Sequence, residues 1–527
     1  MPSVGTGALA RPRRDSHPQL SSRAQLGSCL LPRQSSIHHT LLCAAITMSL
    51  VAATTATAAT RPHYGGTLRV MLQSEPSALE LPANASPAAY WDLARTLSLI
   101  GDTLVRLDAQ GHPQPALALA WQSDSSARHW QFTLRRGVKF HDGTVASPAA
   151  IAQILSALHS NWIVRASADS VSIDSETAMP SLLAELALPR NLLLKRSIKD
   201  NRLPIGTGPF LVAEWQPGKF LKLAASEESW AGRPFVDVVE IEFGKSLRDQ
   251  AIALELNKTD IIETDAPAGN ESPRHGASSS SLSLPIELLA LVFPANSKAQ
   301  DAHLREALAL AIDRKPIQSV LLKGAGEPAA GILPNWMTGY SAVFGTPSNA
   351  QRARALLADP RQPALTPSYV LSYDPRDPQA QLIAERIALD AREVGISVRV
   401  SLSGAEDIRL MRAVLPSPDP ATSLAEAAQQ LGLPQPAISA TLRGNSLDDH
   451  SLDELYQAER SLLDGHTVIP LFQLPVASAA GARVRGWAPD RLGAWSAVPD
   501  LWLASGPAEQ RPASAQTYGP QLEAGSQ

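Results

Sequence analysis

Apolar and polar positions alternate in several short segments of the chain and recur at helical spacing in others. Gly65-Gly66 leads into Thr67-Leu68-Arg69-Val70-Met71-Leu72, which reads as a strand, and Trp130-Gln131-Phe132-Thr133-Leu134-Arg135 alternates as a strand with one face in a core. Leu104, Val105 and Leu107 flank Arg106 in the same manner, and Val236–Phe243 and Asp260-Ile261-Ile262 give two further strands. Pro217-Gly218 turns one strand into the next, Phe220-Leu221-Lys222-Leu223, as in a hairpin. Helices are predicted near 90–99, after the Ser147-Pro148 start signal, near 251–256, at Leu304, Leu308, Ala311 and Ile312, over 380–394 up to Gly395, and over 452–463. The Gly-, Ser- and Pro-rich run 266–284, with four serines at 278–281, reads as a loop or boundary, and 413–450 as irregular.

A chain of 527 residues exceeds one compact core, so two lobes are expected. Leu41–Ala53 is an apolar run too short to span a bilayer; it follows Arg33 and precedes Ala56-Thr57-Ala58, the form of a secretory signal with its cleavage site. Residues 1–58 hold five arginines against Asp15, so their removal takes the formal charge from −4 to −8. Such an acidic chain is a poor partner for nucleic acid. Cys29 and Cys43, the two cysteines, both precede the cleavage point, which leaves the mature chain without thiol chemistry or disulfides.

Enzyme signatures are weak. No serine stands in a G-x-S-x-G setting, Gly206-Thr207-Gly208-Pro209 lacks the Lys-Ser of a phosphate loop, and His141-Asp142-Gly143 is explained by a tight turn. No cofactor or metal ligand set is expected.

Several blocks, in order, resemble the family 5 extracellular solute-binding proteins, the dipeptide-, oligopeptide- and nickel-binding components of bacterial ABC transporters. They are Gly65–Val70, Asp102–Asp108, Pro115–Ala118 with Trp121, Trp130–Thr144, Gly206–Phe210, Trp230–Pro234, Leu304–Arg314, Ile469–Leu471 and Val484–Gly486. The resemblance implies an α/β, two-lobed periplasmic-binding-protein-like fold (type II, large cluster) with mixed sheets and a hinge. Lobe I would comprise 61–284 plus 465–505, with a subdomain at about 92–200. Lobe II would comprise 285–464, and 506–527 a disordered tail. It also implies a periplasmic monomer that captures a peptide-like or other polar solute and delivers it to an ABC transporter permease, with a sensor or scaffold module as the alternative.

Ligand contacts are expected from Trp336 and Tyr340, in a Pro- and Gly-punctuated loop of lobe II, and from Phe293, which Pro294 follows where the family commonly has Asn. Peptide-binding members carry an aspartate that pairs with the peptide amine; Pro416 stands at the matching position. Asp419 or Glu75 is the candidate substitute, and without one, free-amine peptides are expected to bind weakly. The signal reading yields a first test: N-terminal sequencing of exported protein is expected to find cleavage near Ala58.

Overall fold

The computed structural model describes residues 62–81, 86–197, 203–264, 277–339, 348–358, 368–377, 379–402, 406–436, 449–488 and 490–504. The expected signal region 1–58, both cysteines, Tyr340 and the tail 506–527 lie outside them.

One mixed sheet of 11 strands runs through the molecule. At one end Thr67–Met71 lies parallel to both Val238–Glu242 and Ile261–Thr264, and the antiparallel hairpin Phe210–Gln216/Phe220–Ala225 extends that edge. At the other end Tyr369–Tyr373 lies parallel to Val398–Val400 and Ile408–Val414. Between them stand two long antiparallel strands, Ala277–Val292 and Val468–Gly481, which belong to both ends. The sheet therefore has two separately cored lobes on a shared pair of strands.

This overturns the loop expected at 277–284. Ser279–Ser281 pairs with Ser478–Ala480, and the hydroxyls of Ser281 and Ser478 share a 2.7 Å hydrogen bond. Strand formation there follows from pairing with a small-residue partner, since β-propensity is set by neighbours more than by residue type. Farther along, Pro285 faces Pro475 and the register breaks on either side of it. Neither proline has an N–H to give to a ladder, so prolines within a sheet gather at such irregularities. Across the break the Ser283 hydroxyl accepts the Val476 amide at 2.8 Å, standing in for a ladder bond.

In the first lobe Leu68, Val70, Phe210, Leu221, Val239 and Ile241 form one core, and a neighbouring core gathers Trp130, Phe132, Ile151, Leu155, Val171 and Ile173. The burial of His129–Leu134 alternates as its sequence predicts. Helix Pro148–Leu158 begins at its expected cap, the Ser147 hydroxyl accepting the Ala150 amide. In the second lobe helices Ala302–Ala311 and Ala380–Glu393 bury Leu304, Leu308, Ile383 and Ile387 against the sheet. The region expected to be irregular contains a helix, Pro420–Gln430, started by Asp419 as cap with proline at the first helical position.

Helix Pro87–Ile100 is capped by Ser86 and meets Gly206–Pro209 at its C-terminal end. The Gly208 amide donates to the Ile100 carbonyl at 2.9 Å, and the His141 ring bonds the Gly208 carbonyl at 2.9 Å. A Cβ on Gly206 would stand 2.1 Å from the Ile100 carbonyl oxygen. The two glycines thus permit close backbone approach rather than an unusual turn. Gly206→Ala is expected to cost about 3 kcal/mol, the upper range for overpacking, because backbone meets backbone; urea unfolding of the variant against the parent measures it.

Candidate functional site

A cavity of about 1250 Å³ opens between the lobes. The first lobe lines it with Gln73, Tyr90, Trp91, Arg95, Arg190 and Glu263, the shared strands with Glu287, Leu289 and Leu474–Ala477, and the second lobe with Lys323, Ser372–Asp377, Glu406, Arg409–Arg412, Glu426 and Gln430. Its size exceeds that of a pocket for a drug-sized molecule. Its lining includes six basic side chains (Arg95, Arg190, Lys323, Arg376, Arg409, Arg412) and six acidic ones (Glu263, Glu287, Asp374, Asp377, Glu406, Glu426).

Helical spacing sets the first group. Trp91 and Arg95 stand one turn apart on helix Pro87–Ile100, with Arg95 Nε donating to the Gly493 carbonyl at 2.8 Å. Asp92, fully buried on the same helix, accepts the Ser74 amide at 3.2 Å. Glu263, on strand Ile261–Thr264, accepts the Gln73 amide at 2.7 Å. Burial raises the pKa of Asp92; for Glu263 burial and then the Asp92 charge raise it to about 8. Two carboxyls in one dry site cannot both ionise cheaply.

On the opposite wall Arg412 donates to Asp377 at 2.6 Å, to Glu287 at 3.3 Å and to Gln379 at 3.3 Å. Burial pulls the Arg412 pKa down, but Asp377 and Glu287 outweigh it and raise it, so the guanidinium stays charged. Burial prevails at Glu287, whose pKa rises in spite of Arg412. A third group crosses the cavity: Arg190 in the first lobe donates to Glu185 at 2.8 Å and to Glu426 of the second lobe at 2.5 Å. The Tyr90 phenol holds its proton more tightly than usual, through burial first and the Glu426 charge second.

Of the residues expected to touch ligand, the four within the described residues do not line this cavity. Phe293 is buried in the second lobe's core under the Arg305 guanidinium, 5.6 Å from its ring centre. Trp336 packs behind the cleft wall, its indole N–H donating to the Pro285 carbonyl at 2.8 Å. Asp419 spends one carboxylate oxygen on the amide and hydroxyl of Thr422 at 2.8 and 2.6 Å, the work of a helix cap. Glu75 is exposed beside Gly244.

Two of the cavity residues left unnamed by sequence reasoning are charged groups inside largely apolar stretches, Arg95 within Trp91–Leu99 and Glu287 within Leu284–Phe293, and Asp92 is buried beside Arg95. Charge in such a run is the available signal, because these side chains are seldom buried without a partner. His141 and Asp142 belong to a turn, Asp142 accepting from Thr144 and pairing with Lys195 at 2.6 Å. Among the described residues no group of three His, Cys, Asp or Glu is arranged to hold a metal ion, and no helix is long and apolar enough to cross a membrane.

The chain is similar to the nickel-binding periplasmic protein of Escherichia coli, 26% identical over 356 residues, which are 59% of this chain and 66% of that protein. It is 22% identical over 337 residues to the dipeptide-binding protein of the same organism, 54% of this chain and 62% of the relative. The match thus spans just under two thirds of these relatives' length. Among solved structures, AgaA of A. tumefaciens R10 in complex with agropinic acid superposes with a TM-score of 0.71 at 20% identity, over 84% of this chain and 99% of that one. A dipeptide-binding protein of Pseudoalteromonas sp. SM9913 in complex with Met-Leu gives 0.70 at 17%, over 83% and 100%. These likenesses establish the two-lobed fold. The model of the bacterial extracellular solute-binding proteins, family 5, matches residues 112–409, more than half of the sequence, and the chain belongs to that family.

Proposed function

We propose that this protein is the solute-binding component of an ABC importer, without enzymatic activity, which captures a polar solute of both charges, such as a small peptide, and presents it to a membrane permease. The observation that supports this reading is the cavity bounded by both lobes and lined by both basic and acidic side chains. A zwitterionic solute exchanges its own charges for these internal partners, and contact with both lobes favours the closed arrangement. Asp419 is engaged as a helix cap, so a solute amine relies on the cavity's own carboxylates, of which Asp374, whose pKa the Arg376 guanidinium lowers in spite of burial, is one. Export fits the family's description as extracellular solute-binding proteins.

Native mass spectrometry of the purified mature chain is expected to find a co-purified polar solute. Small-angle scattering is expected to show a smaller radius of gyration with that solute bound than after its removal. Identical scattering in the two states would refute capture by closure, because a ligand with equal affinity for both states shifts neither.

Glu263 adds a pH signature. Its carboxyl, raised from 4.5 to about 8, keeps in the folded chain a proton that the unfolded chain has released. Its contribution to stability is therefore present below about 4.5 and lost as pH rises towards 8. Glu263→Gln is expected to flatten this part of the pH dependence in urea unfolding measured across that window.

A further inference from the structure

Arg190 and Glu426 lie 236 residues apart in the sequence, on different lobes, and form an ion pair of 2.5 Å across the cavity. Both are held on fixed elements. Arg190 sits in the single helical turn Pro189–Asn191, where the buried Asn191 amide donates to the Glu185 carbonyl at 2.5 Å and the His159 ring bonds the Asn191 side chain at 2.6 Å. Glu426 projects from helix Pro420–Gln430, whose start is fixed by Asp419, and its side chain is only 15% exposed. A second interlobe approach lies nearby in sequence, where a Cβ on Gly111 would stand 3.7 Å from the Pro418 carbonyl oxygen.

We propose that Arg190 and Glu426 form a latch between the lobes: an ion pair supplied by the protein itself that sets how far the cleft stays closed and how readily solute leaves. The inference rests on the solute-capture reading and adds to it a bond between the lobes that the protein supplies itself.

The latch has an internal competitor. Glu185, on the same lobe as Arg190, also accepts from its guanidinium, at 2.8 Å to Nε and through a second contact to Nη2. One cation thus serves two carboxylates. Removing the Glu426 charge breaks only the interlobe bond. Removing Arg190 does that and leaves Glu185 and Glu426 repelling each other across the cleft. Neutralising Glu185 frees Arg190 for Glu426 and holds the lobes at least as closely. A purely packing role does not produce this order.

The test is a distance measurement across the cleft by double electron–electron resonance. Spin labels go at Gln122→Cys and Gln381→Cys, two exposed positions on opposite lobes, in a chain with Cys29 and Cys43 replaced by Ser. Glu426→Gln is expected to lower the ratio of short to long distances about fivefold, the scale of a half-exposed ion pair. Arg190→Gln is expected to lower it further, and Glu185→Gln not to lower it. An unchanged distribution in Glu426→Gln, or equal opening in Glu185→Gln, overturns the latch. Native mass spectra of the same variants separate the two readings: solute retained by a chain whose lobes ignore Glu426 removes the latch alone, and a parent chain that carries no solute counts against the capture reading instead.

Discussion

Everything about the cleft depends on one shared pair of strands that cannot be continuously hydrogen-bonded. Ala277–Val292 and Val468–Gly481 are members of both lobes, and where they pass from one to the other Pro285 opposes Pro475. A regular ladder resists bending because each bond must be broken to bend it; here the N–H groups are missing at the outset. The Ser283 hydroxyl and the Trp336 indole engage the neighbouring backbone from the side, at the Val476 amide and the Pro285 carbonyl. The strand pair therefore has its ladder interrupted at Pro285 and Pro475 while side chains satisfy the neighbouring backbone groups.

On either side of that line the lobes are stiff for ordinary reasons of packing, and the cavity between them is built from charge. Arg412 binds Asp377 and Glu287, Arg190 binds Glu185 and Glu426, and Asp92 with Glu263 lies beside Arg95. These cations are matched inside the protein, and the wall offers partners of both signs. Burying such groups is unfavourable unless they stay paired. A solute that replaces an internal partner with a better placed one is accepted; one that leaves a buried charge alone is excluded. Selectivity arises from that exclusion as much as from attraction.

Elements defined by periodicity were legible in the sequence. His129–Leu134, helix Pro148–Leu158 with its Ser147 cap, and the hairpin at Pro217-Gly218 stand where their local patterns place them. The failures have separate causes. Ser279–Ser281 forms a strand only because Ser478–Ala480 lies opposite, and helix Pro420–Gln430 was obscured by prolines that in fact mark its start. The cavity was less legible still. Aromatic residues such as Phe293 and Trp336 suggested a ligand surface, yet they fill the core and back the wall. Glu287 gains its place in the cleft from two strands remote in sequence, which no local pattern encodes.

The contact of Gly206–Gly208 with the end of helix Pro87–Ile100 has an effect at a distance. The helix is pinned at its C-terminus, backbone against backbone, while Trp91 and Arg95 reach the cavity from its middle and beginning. At 1.5 Å per residue, Trp91 stands about 14 Å from the anchor. The helix carries the position of its anchored end to the cleft wall, where Asp92 and Arg95 fix it again through Ser74 and Gly493. A substitution that alters the packing around Ile100 therefore bears on where Trp91 and Arg95 stand in the cleft, although Ile100 itself does not line it.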